Sequence, residues 1–313
     1  MQLYIQHGDE VQEPVTVGEL TLTQARAVTP AALTFTVVKN SGLDFQEGEP
    51  VRFSAGGTDM FYGYVFTKSR SRDGLIAVTC YDQTRYLKNK GTFVTDEGLT
   101  AAQVVRRLAA DVNLQTGTIA DTGYVIPVID EENVTYFDMI QNALDETLAQ
   151  TGELFILYDD MGSLTLRSCS DMGHTLLLDA ETASDFRYET TIDTGVYTRI
   201  SLYYEDAASG ARARYVLEDA AGAAAWGVLQ YTDTLQDEEA DPAALAAQLL
   251  ALYDVKGRSL TVENALGDPT VRPGCLLPVT LALGDIDVDR YMLVESVTHH
   301  FSCGTHLMDL ELR

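Results

Sequence analysis

Leu33-Thr34-Phe35-Thr36-Val37 alternates apolar and small polar residues with the period of two that a half-buried β-strand requires. Leu33, Phe35 and Val37 fall on one face, and Thr34 and Thr36 on the other. Further short runs of strand character lie on the C-terminal side, at 51–54, 60–68 and 75–81. Turn residues separate them, Ala55-Gly56-Gly57 and Ser71-Arg72-Asp73-Gly74. Strands of this length and spacing predict a small barrel or sandwich over residues 1–95.

The period then changes. Thr100 followed by Gln103 has the form of a capping box, and Val104, Val105, Leu108 and Val112 form an apolar stripe, so a helix is expected there. A second helix is expected from about Thr135, with Asp138 in its first turn, Phe137, Ile140, Leu144 and Leu148 on its buried face, and an end before Gly152. A hairpin follows, turning at Asp159-Asp160-Met161-Gly162 between a strand carrying Leu154, Ile156 and Tyr158 and one carrying Leu164 and Leu166. Residues 96–180 thus read as a compact α/β module.

From 181 to 313 the β pattern returns, at 197–204, 213–217, 227–231, 276–283, 291–301 and 306–312. One helix is expected to interrupt it near 241–256, with Asp241 as N-cap, Pro242 at the first helical position and Gly257 as C-cap. The fold class expected is mainly β with an α/β insert: two β-barrel blocks joined by a small α/β portion.

The chain has 313 residues, 46% of them hydrophobic and 22% charged, enough for two or three domains with sizeable cores. Asp plus Glu number 47 against 21 Lys plus Arg, a net charge of −26. That balance argues against coating nucleic acid and against docking on an anionic membrane. Residues 1–107 are nearly neutral at −1, whereas residues 108–167 carry −10 and residues 168–313 carry −15. Such a surface reads either as a solvated face that aids solubility or as one that must not stick to a polyanion passing close by. No apolar run has the ~18 residues of a membrane helix, and the first residues lack a secretory pattern. Cys80, Cys169, Cys275 and Cys303 are widely spaced, as expected of free thiols in a reducing compartment.

Three stretches carry a resemblance. Residues 45–53 read FQEGEPVRF, residues 61–68 FYGYVFTK, and residues 81–90 YDQTRYLKNK. With Gly117–Tyr124, Trp226–Tyr231, Tyr291–His299 and His306–Leu310, they resemble the XkdQ/YqbQ family of tail proteins from phages and phage-like particles of Gram-positive bacteria. The likeness spans nearly the whole chain in order. It implies a structural baseplate hub of a contractile tail, with two tail-tube-like barrel domains. Three copies would form a homotrimer joining the tail tube protein to the central spike and neighbouring baseplate proteins. It implies assembly in the bacterial host cytoplasm and residence in the tail. The alanine-rich 206–225 segment and the acidic 236–241 run depart from the family pattern.

His299-His300-Phe301-Ser302-Cys303-Gly304-Thr305-His306 invites a zinc reading. If 302–305 is a hairpin loop, Phe301 faces His306 and His299 faces Met308. His299 and His306 then share one apolar face, while His300 points away and Cys303 sits at the tip. Two ligands do not close a structural zinc site, so packed, hydrogen-bonded histidines are expected, with His299 and His306 as the weak metal candidates. No cofactor is expected. Neither a GxSxG elbow, an HExxH helix nor a Walker loop occurs. Cys80 reads as a small buried residue, and Asp159 and Asp160 read as turn residues. Lys68, Arg70, Arg72, Arg85, Lys88 and Lys90 cluster in the neutral third near Tyr81 and Tyr86, as a partner-facing basic patch or an ordinary mixed-charge rim. No enzymatic activity is expected. The rival readings are a tail-associated peptidoglycan hydrolase and a carbohydrate-binding β protein, for which the single Trp226 is thin support.

Overall fold

The alternation at 33–37 is realised in the Ala32–Val38 strand, where Leu33, Phe35 and Val37 are buried. The computed structural model describes every residue except 28, 41, 180–181, 183–184, 207–210, 236–240 and 283–286. Ala32–Val38 pairs antiparallel with Thr16–Ala25 on one side and Leu75–Tyr81 on the other. From Leu75–Tyr81 the sheet runs on through Thr58–Arg70, Pro50–Ala55, Gln2–His7 and Glu10–Gln12. Leu3 and Ile5 near its far end share one buried cluster with Leu20 and Leu22 near its start, so the sheet curls round its core.

The same sheet continues across the chain. Thr16–Ala25 pairs on its other side with Asp287–Ser302, from Ser296↔Ala25 to Phe301↔Leu20. Thr305–Leu312, Gly257–Leu266 and Asp185–Thr191 follow in order, and Leu276–Ala282 pairs with the first half of Asp287–Ser302. A second buried cluster, including Leu260, Val262, Val294 and Leu310, lies under this half. The protein is therefore mainly β, as its periods predict, with the two β blocks hydrogen-bonded into one sheet. Among the described residues the pairing order is an open path.

The α/β portion also follows its local signals. Helix α1, Ala101–Asp111, is capped by the reciprocal Thr100–Gln103 box. Helix α2, Tyr136–Thr151, is capped by Thr135 with Asp138 and stops at Gly152. They pack over the Phe155–Asp159 and Leu164–Ser168 hairpin, which Thr116–Ile119 joins in parallel. The hairpin lies between two cores. Phe155 and Leu157 face the helices, while Leu154, Ile156 and Tyr158 face the C-terminal β core.

Residues 192–256 leave and re-enter the large sheet at one point, because Thr191 and Gly257 are register partners. The excursion builds its own small sheet, with Arg199–Asp206 between Ala211–Glu218 and Gln230–Thr234. It carries two helices, α3 (Ala220–Trp226) and α4 (Pro242–Tyr253), where one was expected. The α3 segment is an alanine run with no apolar stripe, so periodicity misses it; the Asp219 cap, accepting from the Ala221 N–H at 3.1 Å, was its local signal. Asp241 and Pro242 start α4 as expected. Gly257 does not cap it: the helix ends at Tyr253, and Gly257 opens the next strand against Thr191. The acidic run 236–240, the boundary at 180/181 and the end of the 276–283 strand at 283 lie outside the described residues. No helix among the described residues is long and apolar enough to cross a membrane.

Candidate functional site

The histidine hairpin sits where the two β blocks meet. Its register pairs Phe301 with His306 and His299 with Met308, and Cys303 stands exposed at the tip with φ of 49°. His299 is fully buried; its Nε2 lies 3.1 Å from the Val271 carbonyl and its Nδ1 3.0 Å from His306 Nε2. A carbonyl only accepts, so Nε2 of His299 carries the proton and Nδ1 accepts from the Nε2–H of His306. The His306 ring stacks on Phe301 at 4.2 Å and lies flat against Gly267, where a Cβ would fall 2.3 Å from the ring. His300 points the other way, toward Asp309 at 3.0 Å and Glu19 at 3.2 Å. Among the described residues no three His, Cys, Asp or Glu side chains are grouped to hold a metal.

Burial, and then the charge of a protonated His306, push the His299 imidazole down to about 3; burial likewise lowers His306. The folded chain thus refuses at His299 a proton that the unfolded chain accepts near 6.5. Stability from this pair is complete above pH 6.5 and is lost as pH falls toward 3. The advantage of the wild type over His299→Leu should therefore shrink below pH 6.5, by up to about 1.4 kcal/mol per pH unit. Urea unfolding at pH 7.5 and 4.5 reads it; parallel curves for the two proteins would sink the assignment.

A second seam ties three parts of the chain together. Asp82 caps the short Gln83–Lys88 turn, accepting from the Thr84 N–H at 3.0 Å, the Thr84 hydroxyl at 2.5 Å and the Ala31 N–H at 3.2 Å. Complete burial, and then the Asp159 charge, raise its carboxyl to about 7. Asp159 is the turn residue expected, and it does more. Its carboxylate accepts from the Gly162 N–H at 2.8 Å and from Gln83 Nε2 at 2.6 Å. Arg272 of the C-terminal block reaches the same place, 4.6 Å over the Tyr158 ring and 3.8 Å from Asp160. Spacing in the sequence carries no signal for this three-part contact. Its members come from turns whose proximity only the packing creates.

The six basic residues are spread along the Thr58–Arg70 strand, its turn and residues 83–90 further on. Arg70 faces Ile76 at the tip of its hairpin and Tyr64 faces Tyr81 at the base, so Arg70 stands roughly 20 Å from the Tyr64 end of its strand at ~3.3 Å per residue. Lys68 is turned onto its own chain: Nζ donates to the Phe45 carbonyl at 2.6 Å and sits 3.5 Å from Glu47. Arg85 lies 5.6 Å over Phe66. Arg70, Arg72, Lys88 and Lys90 are exposed. At the base, Tyr62, Tyr64, Phe66, Tyr81 and Tyr86 form a half-exposed ladder of edge-on and tilted rings, with neighbouring centroids 5.3–6.2 Å apart. The alternation of residues 62, 64 and 66 on one strand face was the signal for it. Cys80, Cys169 and Cys275 are buried, and burial raises each thiol.

This architecture is shared with known proteins. The tail protein of Neisseria meningitidis MC58 superposes with a TM-score of 0.73 at 13% identity, covering 99% of this chain and 95% of that one. The E. coli c3393 protein, described as a type VI secretion component with structural similarity to T4 bacteriophage tail proteins gp27 and gp5, superposes at 0.57 with 12% identity, covering 100% of this chain and 76% of that one. The fold is thus the one seen in solved phage tail and type VI secretion proteins. The chain belongs to the YQBQ-like family, whose model matches residues 20–313. The phage-like element PBSX protein XkdQ of Bacillus subtilis (strain 168) is 29% identical over 293 residues, covering 90% of this chain and 88% of the relative.

Proposed function

We propose that the protein is the structural hub of a contractile-tail baseplate, three copies closing a ring between the tail tube and the central spike. The observation that carries this reading is the match to XkdQ, a protein of a phage-like element, over 90% of this chain and 88% of that one, together with two β blocks joined in a single sheet. Exposed strand edges at the two ends of the pairing order would be covered by sister copies in such a ring. Part of the acidic excess of residues 108–313 lines the bore and keeps a polyanion from sticking. That repulsion acts within a Debye length of ~8 Å, so only carboxylates near the wall matter. Assembly takes place in the host cytoplasm, and the work is done in the tail. The chain performs no hydrolysis.

Sedimentation velocity at rising concentration should show a trimer, and electron microscopy should show rings with a carboxylate-lined opening. A monomer at the highest concentrations, or a bore lined by Lys and Arg, counts against the hub. Clearing of a peptidoglycan zymogram by the purified chain would favour the hydrolase reading instead.

A further inference from the structure

The Thr58–Arg70 strand is paired on both sides, with Pro50–Ala55 and with Leu75–Tyr81, so Tyr62, Tyr64 and Phe66 stand on the face of a sheet and not at its edge. Beside Tyr64 a cleft of about 400 Å³ opens where the N-terminal β block meets the α/β portion. Tyr64 and Tyr86 wall it, with ring centroids 6.2 Å apart and planes at 63°. Gln83, the loop after α1 with Asn113 and Gln115, and Gly162 complete the lining. No lining residue is charged, in a chain where 22% of residues are. The cleft therefore offers no ion pair to a charged ligand.

Its polar groups are nevertheless ready for use. Gln83 is only 5% exposed. Its Nε2 donates to the Asp159 carboxylate at 2.6 Å and to the Gln115 carbonyl at 3.4 Å, so both amide protons are engaged. That fixes the side-chain plane and leaves Oε1 over. Among the described residues nothing donates to this oxygen, and it is not sealed off, so an incoming donor can reach it. The exposed carboxamides of Asn113 and Gln115 likewise hold no partner among the described residues. Tyr86, 37% exposed, presents its ring beside them.

The combination is aromatic faces with neutral hydrogen-bonding groups of both senses. A pyranose ring matches both. Its axial C–H groups settle on the negative face of a tyrosine ring, and its hydroxyls donate as well as accept. A peptide cannot attach here by strand addition, because the Thr58–Arg70 strand has no free edge.

We propose that this cleft binds a neutral oligosaccharide, with a sugar ring against Tyr86 and Tyr64 and its hydroxyls on Gln83 Oε1 and the Asn113 and Gln115 carboxamides. Tyr62 and Phe66 continue the ladder past the two tyrosines, 5.9 Å from Tyr64 and 6.0 Å from Tyr86, and give neighbouring sugar units further ring surface. The inference stands apart from the hub reading.

Calorimetric titration of the full chain with the β-1,4-linked hexamers of glucose and of N-acetylglucosamine tests it. Both sugars keep their ring substituents equatorial, which leaves C–H faces on either side. The wild type should bind at least one of them at about 1 mM or tighter, equally at low and high salt because no charge is paired. Tyr86→Ala should weaken binding at least ~5-fold and Tyr86→Phe less than ~2-fold, because the ring face makes the contact. Asn113→Gly/Gln115→Ala should weaken it at least ~3-fold with nearly unchanged thermal unfolding, since glycine accepts the φ of 55° at residue 113 and neither carboxamide is tied into the fold. No heat from either sugar up to about 10 mM, or full binding by Tyr86→Ala, overturns the proposal. So does binding of a decaproline peptide that Tyr86→Ala abolishes while both sugars fail, since the occupant would then be a proline-rich segment. Self-association of the wild type that Tyr86→Ala dissolves overturns it too, in favour of a second copy.

Discussion

Phe301→Ala should lower stability by about 3–5 kcal/mol, a large share of what holds the two β blocks together. Phe301 stands on a strand of the C-terminal half but belongs to the N-terminal core, and it is only 4% exposed. Its ring meets Phe53 edge-on at 4.9 Å and stacks on His306 at 4.2 Å. Its backbone neighbours are Leu20 and His306. Truncation leaves a ring-sized cavity under the strands that join the blocks, and it removes an aromatic pair contributing about 0.5–1.5 kcal/mol beyond area. Phe301→Leu should lose much less, because most of the volume remains. Urea unfolding followed by fluorescence and by limited proteolysis reads the change. A loss below about 1 kcal/mol for the alanine variant would mean that the seam is not held by this ring.

Gly63→Ala should cost more than about 3 kcal/mol, enough to leave the N-terminal block poorly folded. A Cβ built on Gly63 lies 2.3 Å from the Tyr81 carbonyl oxygen and 2.5 Å from the Phe61 ring. Phe61 could turn aside, but the carbonyl cannot. It belongs to the adjacent strand, pinned by the Tyr64↔Tyr81 register. Relief requires the two strands to part in the middle of the sheet. Gly42→Ala is the control, since its nearest neighbour is the Asn40 side chain at 3.6 Å and the site is exposed. Its effect should be small. Circular dichroism melts and soluble yield compare the two, and equal behaviour would show that the strands yield at Gly63 without loss.

The helices were legible because their signals are local. Thr100 with Gln103, Thr135 with Asp138, and Asp241 with Pro242 each act within one turn, so neighbouring residues decide them. The Phe301↔His306 register was legible for the same reason: a tight hairpin and a period of two leave one arrangement that buries Val297, Phe301 and Met308 together. Helix α3 of the 192–256 excursion was missed because alanine gives periodicity nothing to read. The spread of the basic residues was not legible in their spacing, because roughly 20 Å of hairpin separates Arg70 from the Tyr64 end of its strand.

What the sequence determined by itself, then, is the type of most elements, the N-caps of α1, α2 and α4, and the mainly β class. Only the tertiary structure decided that Thr16–Ala25 pairs with Asp287–Ser302 and that Asp82, Asp159 and Arg272 converge. Strands with similar alternation can pair in many orders. The choice among them rests on which faces bury one another, and that is a property of the assembled cores, not of any local stretch.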